Sequence, residues 1–207
     1  YKQIRKLLIK NEVIFFRNQD ISPAQQKALA DSFGPLQTHP AYETVEDFPE
    51  ITILESTAEN PTKIEAWHSD MTFRQHPPIA SILRSKITPE KGGDTLWSSM
   101  TAAYDNLSGN MKSFLDGLSA VHDFRYGFKE SLEEKGGADR LSEAVKENPP
   151  VEHPIIQTHP ESGKKVIFVN SLFTTHIVGL NRLESRAILD FLFDHIRTPE
   201  FTCRFSW

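Results

Sequence analysis

Residues 66–73 place the strongest requirement on the fold of this 207-residue chain. If this segment is a β-strand, its side chains alternate between two faces, so His68 and Asp70 point the same way. An imidazole and a carboxylate side by side on a strand supply two ligands of the 2-His-1-carboxylate arrangement, which binds Fe(II) and leaves other coordination positions open. The His-x-Asp spacing alone is a weak signal. The iron interpretation therefore depends on the rest of the chain.

Charge and cysteine content restrict the class of protein. The net charge of −5 provides no basic surface, so nucleic acid is not an expected partner. Cys203 is the single cysteine, which rules out an intrachain disulfide and favours a reducing compartment. No apolar run approaches the roughly 18 residues of a membrane span, and no signal-peptide pattern opens the chain. We therefore expect a cytoplasmic protein that does not enter a membrane.

Short apolar runs bounded by turn residues predict a mainly β fold with helical insertions. Because no βαβ pattern recurs, an antiparallel barrel or jelly roll fits best. Capping boxes at Ser22 and Asn181 predict helices over residues 22–33 and from residue 181 onward. The predicted strands cover residues 11–17, 51–54, 66–73, 79–87, 94–97, 155–158, 166–169 and 201–207, with the sixth and seventh forming a hairpin.

A second His-x-carboxylate sequence, His159 and Glu161, tests how far spacing can be trusted. Pro160 lies between the two residues and a Ser-Gly pair follows them, so this segment is predicted to be the turn of the hairpin. A turn does not hold the two side chains on one flat face. We therefore reject it as a metal pair.

Both ends of the chain have the pattern of interrupted elements. The chain begins without a Met inside a helical pattern, and it stops inside the alternating pattern of residues 201–207. We expect residues 1–207 to be a single domain that lacks its N-terminal start and its C-terminal strands.

With these segments assigned, the sequence resembles the Fe(II)/2-oxoglutarate-dependent taurine dioxygenase family. The shared motifs follow the family's order over nearly the whole chain, so the resemblance does not depend on the His-x-Asp pair alone. They lie at residues 33–34, 39–40, 67–70, 72–73, 77–78, 92–97, 122–125, 148–150, 153–154, 158–160, 162–164, 169–170 and 173–175.

The resemblance implies a double-stranded β-helix, or jelly roll, with the metal in its mouth. His68 and Asp70 would be the catalytic metal ligands, and the family's second histidine ligand has no match within these 207 residues. Fe(II), 2-oxoglutarate and O₂ would be required. Thr95 matches the family's threonine that binds the far carboxylate of 2-oxoglutarate, where a hydroxyl can donate a charge-assisted hydrogen bond.

The resemblance also implies a small anionic organic substrate. The residues His39, Tyr42, Phe128 and Phe173 match the substrate pocket. A cationic or hydrogen-bonding His39 with Tyr42 suits a sulfonate, and the two Phe rings suit its carbon chain. On their own, His39 and Tyr42 would be assigned to a surface loop. The expected protein is a homo-oligomer, either dimer or tetramer.

The implied reaction is hydroxylation of a small sulfonate such as taurine, which releases sulfite and an aldehyde together with succinate and carbon dioxide. Ile64 departs from the Asn that taurine users place four residues before the metal histidine, which removes a hydrogen-bond donor. Alkyl sulfate esters and aryloxyalkanoates therefore remain alternative substrates of the same chemistry. A jelly-roll binding protein without catalysis is a third alternative.

Overall fold

The computed structural model describes residues 1–59, 61 and 65–207. This part of the chain contains nine α-helices, most of them short, and a 3₁₀ turn at Pro199–Phe201. None of these helices is long and apolar enough to cross a membrane. The helices are Lys2–Asn11 (α1), Pro23–Asp31 (α2), Met100–Asp105 (α3), Gly109–Leu115 (α4), Phe124–Gly127 (α5), Lys129–Glu133 (α6), Gly137–Arg140 (α7), Ser142–Glu147 (α8) and Arg182–His195 (α9).

Nine strands in the described ranges form four small antiparallel sheets. Three sheets are two-stranded and pair β1 with β2, β3 with β9, and β6 with β7; the fourth has the order β5-β4-β8. The strands are Thr44–Val45 (β1), Phe48–Thr52 (β2), Thr95–Ser98 (β3), Ser119–His122 (β4), Val151–Pro154 (β5), Ile156–Thr158 (β6), Lys165–Ile167 (β7), Thr174–Ile177 (β8) and Thr202–Phe205 (β9).

The two predicted capping boxes are confirmed. Ser22 Oγ accepts from the Gln25 amide, and the Gln25 side chain accepts from the Ser22 amide, so α2 begins where the sequence predicts. Asn181 and Glu184 make the same reciprocal pair at the start of α9. Each box satisfies backbone N–H groups that have no partner within the helix.

Two predicted strands, at residues 11–17 and 79–87, are wrong. Helix α1 continues through Asn11, and Phe16 beyond it is 55% exposed. Ile87 is 89% exposed, and residues 79–87 form no hydrogen-bonded ladder in the described structure. An apolar run becomes a strand only when another strand pairs with it, which the run itself does not determine.

The strands predicted at residues 51–54, 94–97, 155–158, 166–169 and 201–207 are present, with shifted ends. The hairpin is present as β6 and β7, with Ile156 opposite Ile167. The C-terminal pattern is β9, which pairs with β3 so that Thr95 lies opposite Phe205. The described residues therefore combine strands and helices as expected. Their four sheets do not close into the predicted jelly-roll barrel.

Two clusters of buried apolar side chains form the core. The larger lies between α9, α3 and the β4–β8 pair, and includes Leu115, Ile177 and Leu192. The smaller one lies next to the His-x-Asp segment. Its buried members are Met71, Phe73, Phe124, Phe128, Leu141, Ala144 and Phe173.

Candidate active site

The segment that carries the predicted metal ligands is not a strand. Residues 67–69 have no regular secondary structure and a turn covers residues 70–73, with Met71 in the left-handed region at φ 54°. The turn directs Met71, Thr72 and Phe73 into the core, where all three are buried. His68 and Asp70 nevertheless lie together, with 3.4 Å between His68 Nε2 and Asp70 Oδ1.

Each of the two side chains has a further partner that fixes its orientation. His68 Nδ1 lies 2.8 Å from the Ala66 carbonyl oxygen. Because a carbonyl only accepts, Nδ1 carries the proton, and Nε2 faces Asp70. Asp70 Oδ2 accepts a 2.5 Å hydrogen bond from Ser81 Oγ. The His68 side chain is 26% exposed and that of Asp70 is 49% exposed, so a ligand can reach both.

The two pKa shifts match a closely coupled acid–base pair. Burial lowers the pKa of His68, but its contacts with Asp70 and with the Ala66 carbonyl outweigh burial and hold the pKa above its ordinary value. The hydrogen bond from His68 lowers the pKa of Asp70, against the opposing effect of burial. Nε2 of the neutral ring faces the carboxylate with its lone pair, at the position where a divalent cation would bind in competition with a proton.

The donor chemistry of the pair fits Fe(II). Neighbouring ligand atoms of an octahedral ion with bonds of about 2.1 Å lie about 3 Å apart, close to the observed separation. Imidazole nitrogen and carboxylate oxygen are the ligand types of non-haem iron sites. Among the described residues, however, no group of three or more His, Cys, Asp or Glu side chains could hold a metal ion. The described part of the chain thus offers two candidate ligands, His68 and Asp70.

The four residues matched to the substrate pocket lie together beside this pair. The His39 ring centroid is 4.6 Å from that of Tyr42 and 5.7 Å from that of Phe128. Phe173 lies 6.2 Å from Phe128 and 6.5 Å from His68, edge-to-face with the latter. Segments far apart in the sequence therefore meet at His68.

His39 is a neutral hydrogen-bonding group rather than a cation. Its Nδ1 accepts a 3.2 Å hydrogen bond from the Ala41 amide, so the ring proton is on Nε2. Burial lowers the pKa of His39 to about 4, even though the nearby Asp70 charge acts in the opposite direction. Burial and Asp70 both raise the pKa of Tyr42. At neutral pH both side chains are uncharged donors.

Phe128 and Phe173 are only 7% and 3% exposed, so most of each ring belongs to the core. Gly127 explains how the Phe173 ring fits there. A Cβ atom at residue 127 would lie 2.4 Å from Phe173 Cε1, which is too close for any side chain. The absence of a side chain at Gly127 thus leaves the space that the Phe173 ring occupies.

The structure does not connect Thr95 with this cluster. Its hydroxyl accepts a 2.9 Å hydrogen bond from Trp207 Nε1, and no contact among the described residues joins Thr95 to the metal pair. A cavity of about 310 Å³ lies nearby, lined by residues 88–94, Ser206 and Trp207. Ile64, the departure from taurine users, lies outside the described residues.

Sequence reasoning missed two further features of the site. One is Ser81, which holds Asp70 from a segment that was predicted to be a strand. The other is a buried group of polar side chains directly behind the turn at residues 70–73. Several members lie in motifs shared with the family, but no local pattern marks them as buried. They are Thr72, His122, His153, Asn170 and Thr174.

Comparisons with known proteins place the chain in a family. An alkylsulfatase from Acinetobacter baylyi is 33% identical over 99% of this chain and 65% of its own length. An alpha-ketoglutarate-dependent 2,4-dichlorophenoxyacetate dioxygenase from Cupriavidus pinatubonensis is 31% identical over all of this chain and 76% of its own length.

A solved structure of a taurine dioxygenase from Burkholderia xenovorans superimposes with a TM-score of 0.79 and 36% identity, covering all of this chain and 66% of that one. The chain thus spans about two thirds of the length of these relatives. The family model described as "Taurine catabolism dioxygenase TauD, TfdA family" matches residues 1–207. The chain belongs to the TauD, TfdA family of dioxygenases.

Proposed function

We propose that the protein containing this chain is an Fe(II)- and 2-oxoglutarate-dependent dioxygenase that hydroxylates a small organic anion. The observation that carries the proposal is the oriented His68–Asp70 pair at the edge of an aromatic cluster. A purely structural ion pair would not require His68 Nε2 to face an accessible carboxylate. Nor would it require a cluster of aromatic rings, large enough to contact a substrate, beside that carboxylate. Family membership supports the same reading.

The roles of the residues follow from their chemistry. His68 and Asp70 would hold Fe(II), which, when bound with 2-oxoglutarate and O₂, supplies the oxidation chemistry that amino-acid side chains lack. The Ala66 carbonyl keeps His68 in the tautomer that binds metal, and Ser81 keeps Asp70 in place. Thr95 is assigned to 2-oxoglutarate on the strength of the family motif alone.

The proposal includes two features carried by the family resemblance. One is the closure of the small sheets into a double-stranded β-helix. The other is a second histidine ligand outside these 207 residues. Both concern the complete protein, so the tests below use the protein expressed from its complete gene. The soluble, cytoplasmic homo-oligomer expected from the sequence belongs to the same proposal.

The substrate side of the site favours an anion with an apolar body. His39 Nε2–H and the Tyr42 hydroxyl are uncharged donors that can orient sulfonate or sulfate oxygens without requiring a cationic pocket. Phe128 and Phe173 form an apolar wall that excludes water from the carbon to be hydroxylated. Hydroxylation of the carbon attached to sulfur in a sulfonate such as taurine would release sulfite and an aldehyde.

Alkyl sulfate esters are the second candidate substrate. The alkylsulfatase relative, which is 33% identical, supports this candidate. Hydroxylation of the carbon that bears the sulfate oxygen would release sulfate and an aldehyde. Aryloxyalkanoates, which would release a phenol, are the third candidate, supported by the 2,4-dichlorophenoxyacetate dioxygenase relative.

A substrate panel tests the proposal. The complete protein, supplied with Fe(II), ascorbate, 2-oxoglutarate and O₂, is assayed with sulfonates, alkyl sulfates and aryloxy acids. We expect substrate-dependent succinate formation, with sulfite, sulfate or a phenol identifying the substrate class. If no compound stimulates succinate formation and the protein still binds a small anion, the non-catalytic binding protein is the correct alternative.

A further inference from the structure

A closed ring of hydrogen bonds lies behind the turn that carries Asp70. Asn170 Nδ2 donates to Thr72 Oγ1 at 3.0 Å, and Thr72 Oγ1 lies 2.9 Å from His122 Nδ1. His122 Nε2 faces Thr174 Oγ1 at 3.4 Å, and Thr174 Oγ1 accepts from the Asn170 amide at 3.0 Å. All four residues are at most 3% exposed. The ring connects the 70–73 turn to β4, β8 and the segment before β8.

The available donors allow the following directions for the bonds of the ring. Thr72 Oγ1 already accepts from Asn170, so its single hydrogen is free to be donated to His122 Nδ1. This leaves the His122 proton on Nε2, pointing to Thr174. Burial and the neighbouring His153 lower the pKa of His122 to about 4, in keeping with one ring proton. Each of the four side chains then has a hydrogen-bond partner within the ring.

The side chain of His153 holds the backbone of the same turn. Its Nε2 lies 3.0 Å from the carbonyl oxygens of both Thr72 and Arg74. Because carbonyls only accept, His153 Nε2 carries a proton and donates to both. The turn is thus held by the Thr72 side chain, by the Thr72 carbonyl and by the carbonyl of Arg74 directly after it. This explains how Met71 keeps its left-handed backbone directly after Asp70.

Asn170 also holds the substrate side of the site. Its Oδ1 accepts from the amides of Leu172 and Phe173, at 3.1 and 2.9 Å. Next to it, Ser171 Oγ donates to the Trp67 carbonyl at 3.2 Å. One amide side chain therefore bonds both to the turn that follows a metal ligand and to the turn that presents Phe173.

We propose that the Thr72–His122–Asn170–Thr174 ring is a positioning device that fixes Asp70 for the metal and Phe173 for the substrate together. We call these four positioning residues because they act through the two backbone turns. Their side chains are not proposed to touch the metal or the substrate. The proposal rests on the proposed function, in which His68 and Asp70 hold the metal and Phe173 borders the substrate. Its metal part is testable by binding alone.

The decisive variant is Thr72→Val, which keeps the side-chain shape and removes the hydroxyl shared by Asn170 and His122. Thr72→Ser keeps the hydroxyl and serves as the conservative variant. Thr101→Val is the matched control, because Thr101 is also a buried threonine whose hydroxyl is hydrogen-bonded, to Glu12 and Ser99, but it lies in α3. The three variants separate loss of a buried hydroxyl from loss of this particular ring.

The complete proteins are titrated with Mn(II) as the metal probe, followed by electron paramagnetic resonance, and their Tm values are measured. We expect Thr72→Val to bind Mn(II) about 10–100-fold more weakly than wild type, the range for loss of an outer-shell partner. Thr72→Ser should bind like wild type. Thr101→Val should lower the Tm and leave the Mn(II) Kd unchanged. A Thr72→Val protein that binds Mn(II) as tightly as Thr101→Val overturns the proposal.

Two further measurements complete the test. If Thr72→Val does not fold, Thr174→Val opens the ring at its far side and should weaken Mn(II) binding relative to Thr101→Val; equal binding overturns the proposal.

With a substrate from the panel, Thr72→Val should form more succinate per hydroxylated product than wild type, because Phe173 is displaced with the turn. An unchanged ratio overturns the link to Phe173. If wild type turns over no substrate, the proposed function fails while the Mn(II) comparison still decides the metal part.

Discussion

The chain contains two His-x-carboxylate sequences, and the structure gives them opposite surroundings. In the first, His68 Nε2 faces Asp70 at 3.4 Å while Nδ1 bonds to a carbonyl. In the second, His159 Nδ1 accepts from the amides of Glu161 and Ser162, as a turn-stabilising side chain. Glu161 points away to Arg5, at 2.7 Å. Identical spacing thus produces a geometry that fits a pair of metal ligands in one region and a structural turn in the other.

The two motifs differ in the hydrogen-bond partners of the histidine ring nitrogens and of the carboxylate. His68 uses its backbone-facing nitrogen as a donor, which leaves Nε2 directed at the carboxylate. His159 uses its backbone-facing nitrogen as an acceptor, and its neighbouring carboxylate is committed to a guanidinium. A motif of two residues therefore has no meaning for metal binding until the hydrogen-bond partners of both residues are known.

The largest expected effect comes from removing the carboxylate of the first pair. Asp70→Ala should abolish substrate-dependent succinate formation, because the proposed site would lose its carboxylate ligand and keep only its histidines. Glu161→Ala, in the second pair, is the matched control and should retain the activity of wild type. Product formation is measured with the best substrate of the panel. Activity in Asp70→Ala would refute the assignment of Asp70 as a ligand.

Removing the partner of Asp70 should have the next largest effect. Ser81→Ala deletes the 2.5 Å bond to Asp70 Oδ2 and should weaken metal binding about 10–100-fold. Ser162→Ala removes a serine hydroxyl from the second motif, where it accepts from the Lys164 amide. It should leave metal binding unchanged. Fe(II) titration of activity measures both, and equal curves would contradict the role of Ser81.

A smaller effect is expected from filling the space at Gly127. Gly127→Ala forces the Phe173 ring away from its place beside His68, so KM should rise several-fold while overpacking costs about 1–3 kcal/mol of folding free energy. Gly163→Ala strains the turn of the second motif, where φ is +70° with open space around the residue. It should cost about 1 kcal/mol and leave KM unchanged. A KM change in both variants would show a general effect of destabilisation.

The smallest effect concerns the pH dependence of stability at the second motif. The hydrogen bond from Arg5 holds the pKa of Glu161 below its ordinary value. The stabilisation is therefore complete above the ordinary carboxyl pKa and is lost as the pH falls through the lowered one. Glu161→Gln should lower Tm slightly at pH 7, and the difference should disappear in acid. A Tm difference that persists at pH 2 would show that the ion pair is not its cause.

Elements specified by adjacent residues could be predicted from the sequence. The capping boxes at Ser22 and Asn181 and the hairpin around Gly163 depend on contacts within a few residues, and each is present. The strands at residues 11–17 and 79–87 failed because a strand requires a partner elsewhere in the chain. Residues 66–73 failed for the same reason, although the proximity of His68 and Asp70 survived in a turn.

The site could be predicted only in part for a similar reason. His39, Phe128 and Phe173 are far apart in sequence, and only the family resemblance grouped them before the structure brought them together. No local pattern predicts the Ser81 bond to Asp70 or the left-handed conformation at Met71. The buried ring around Thr72 joins segments up to 98 residues apart, beyond the range of any periodicity.

A comparison of metal binding by variants at His68 and at His159 tests the central claim most directly. Complete proteins carrying His68→Gln or His159→Gln are titrated with Mn(II) under identical conditions and compared with wild type by electron paramagnetic resonance. The account predicts that His68→Gln loses high-affinity Mn(II) binding and that His159→Gln binds like wild type. Retention of wild-type affinity in His68→Gln would contradict it, whatever the behaviour of His159→Gln.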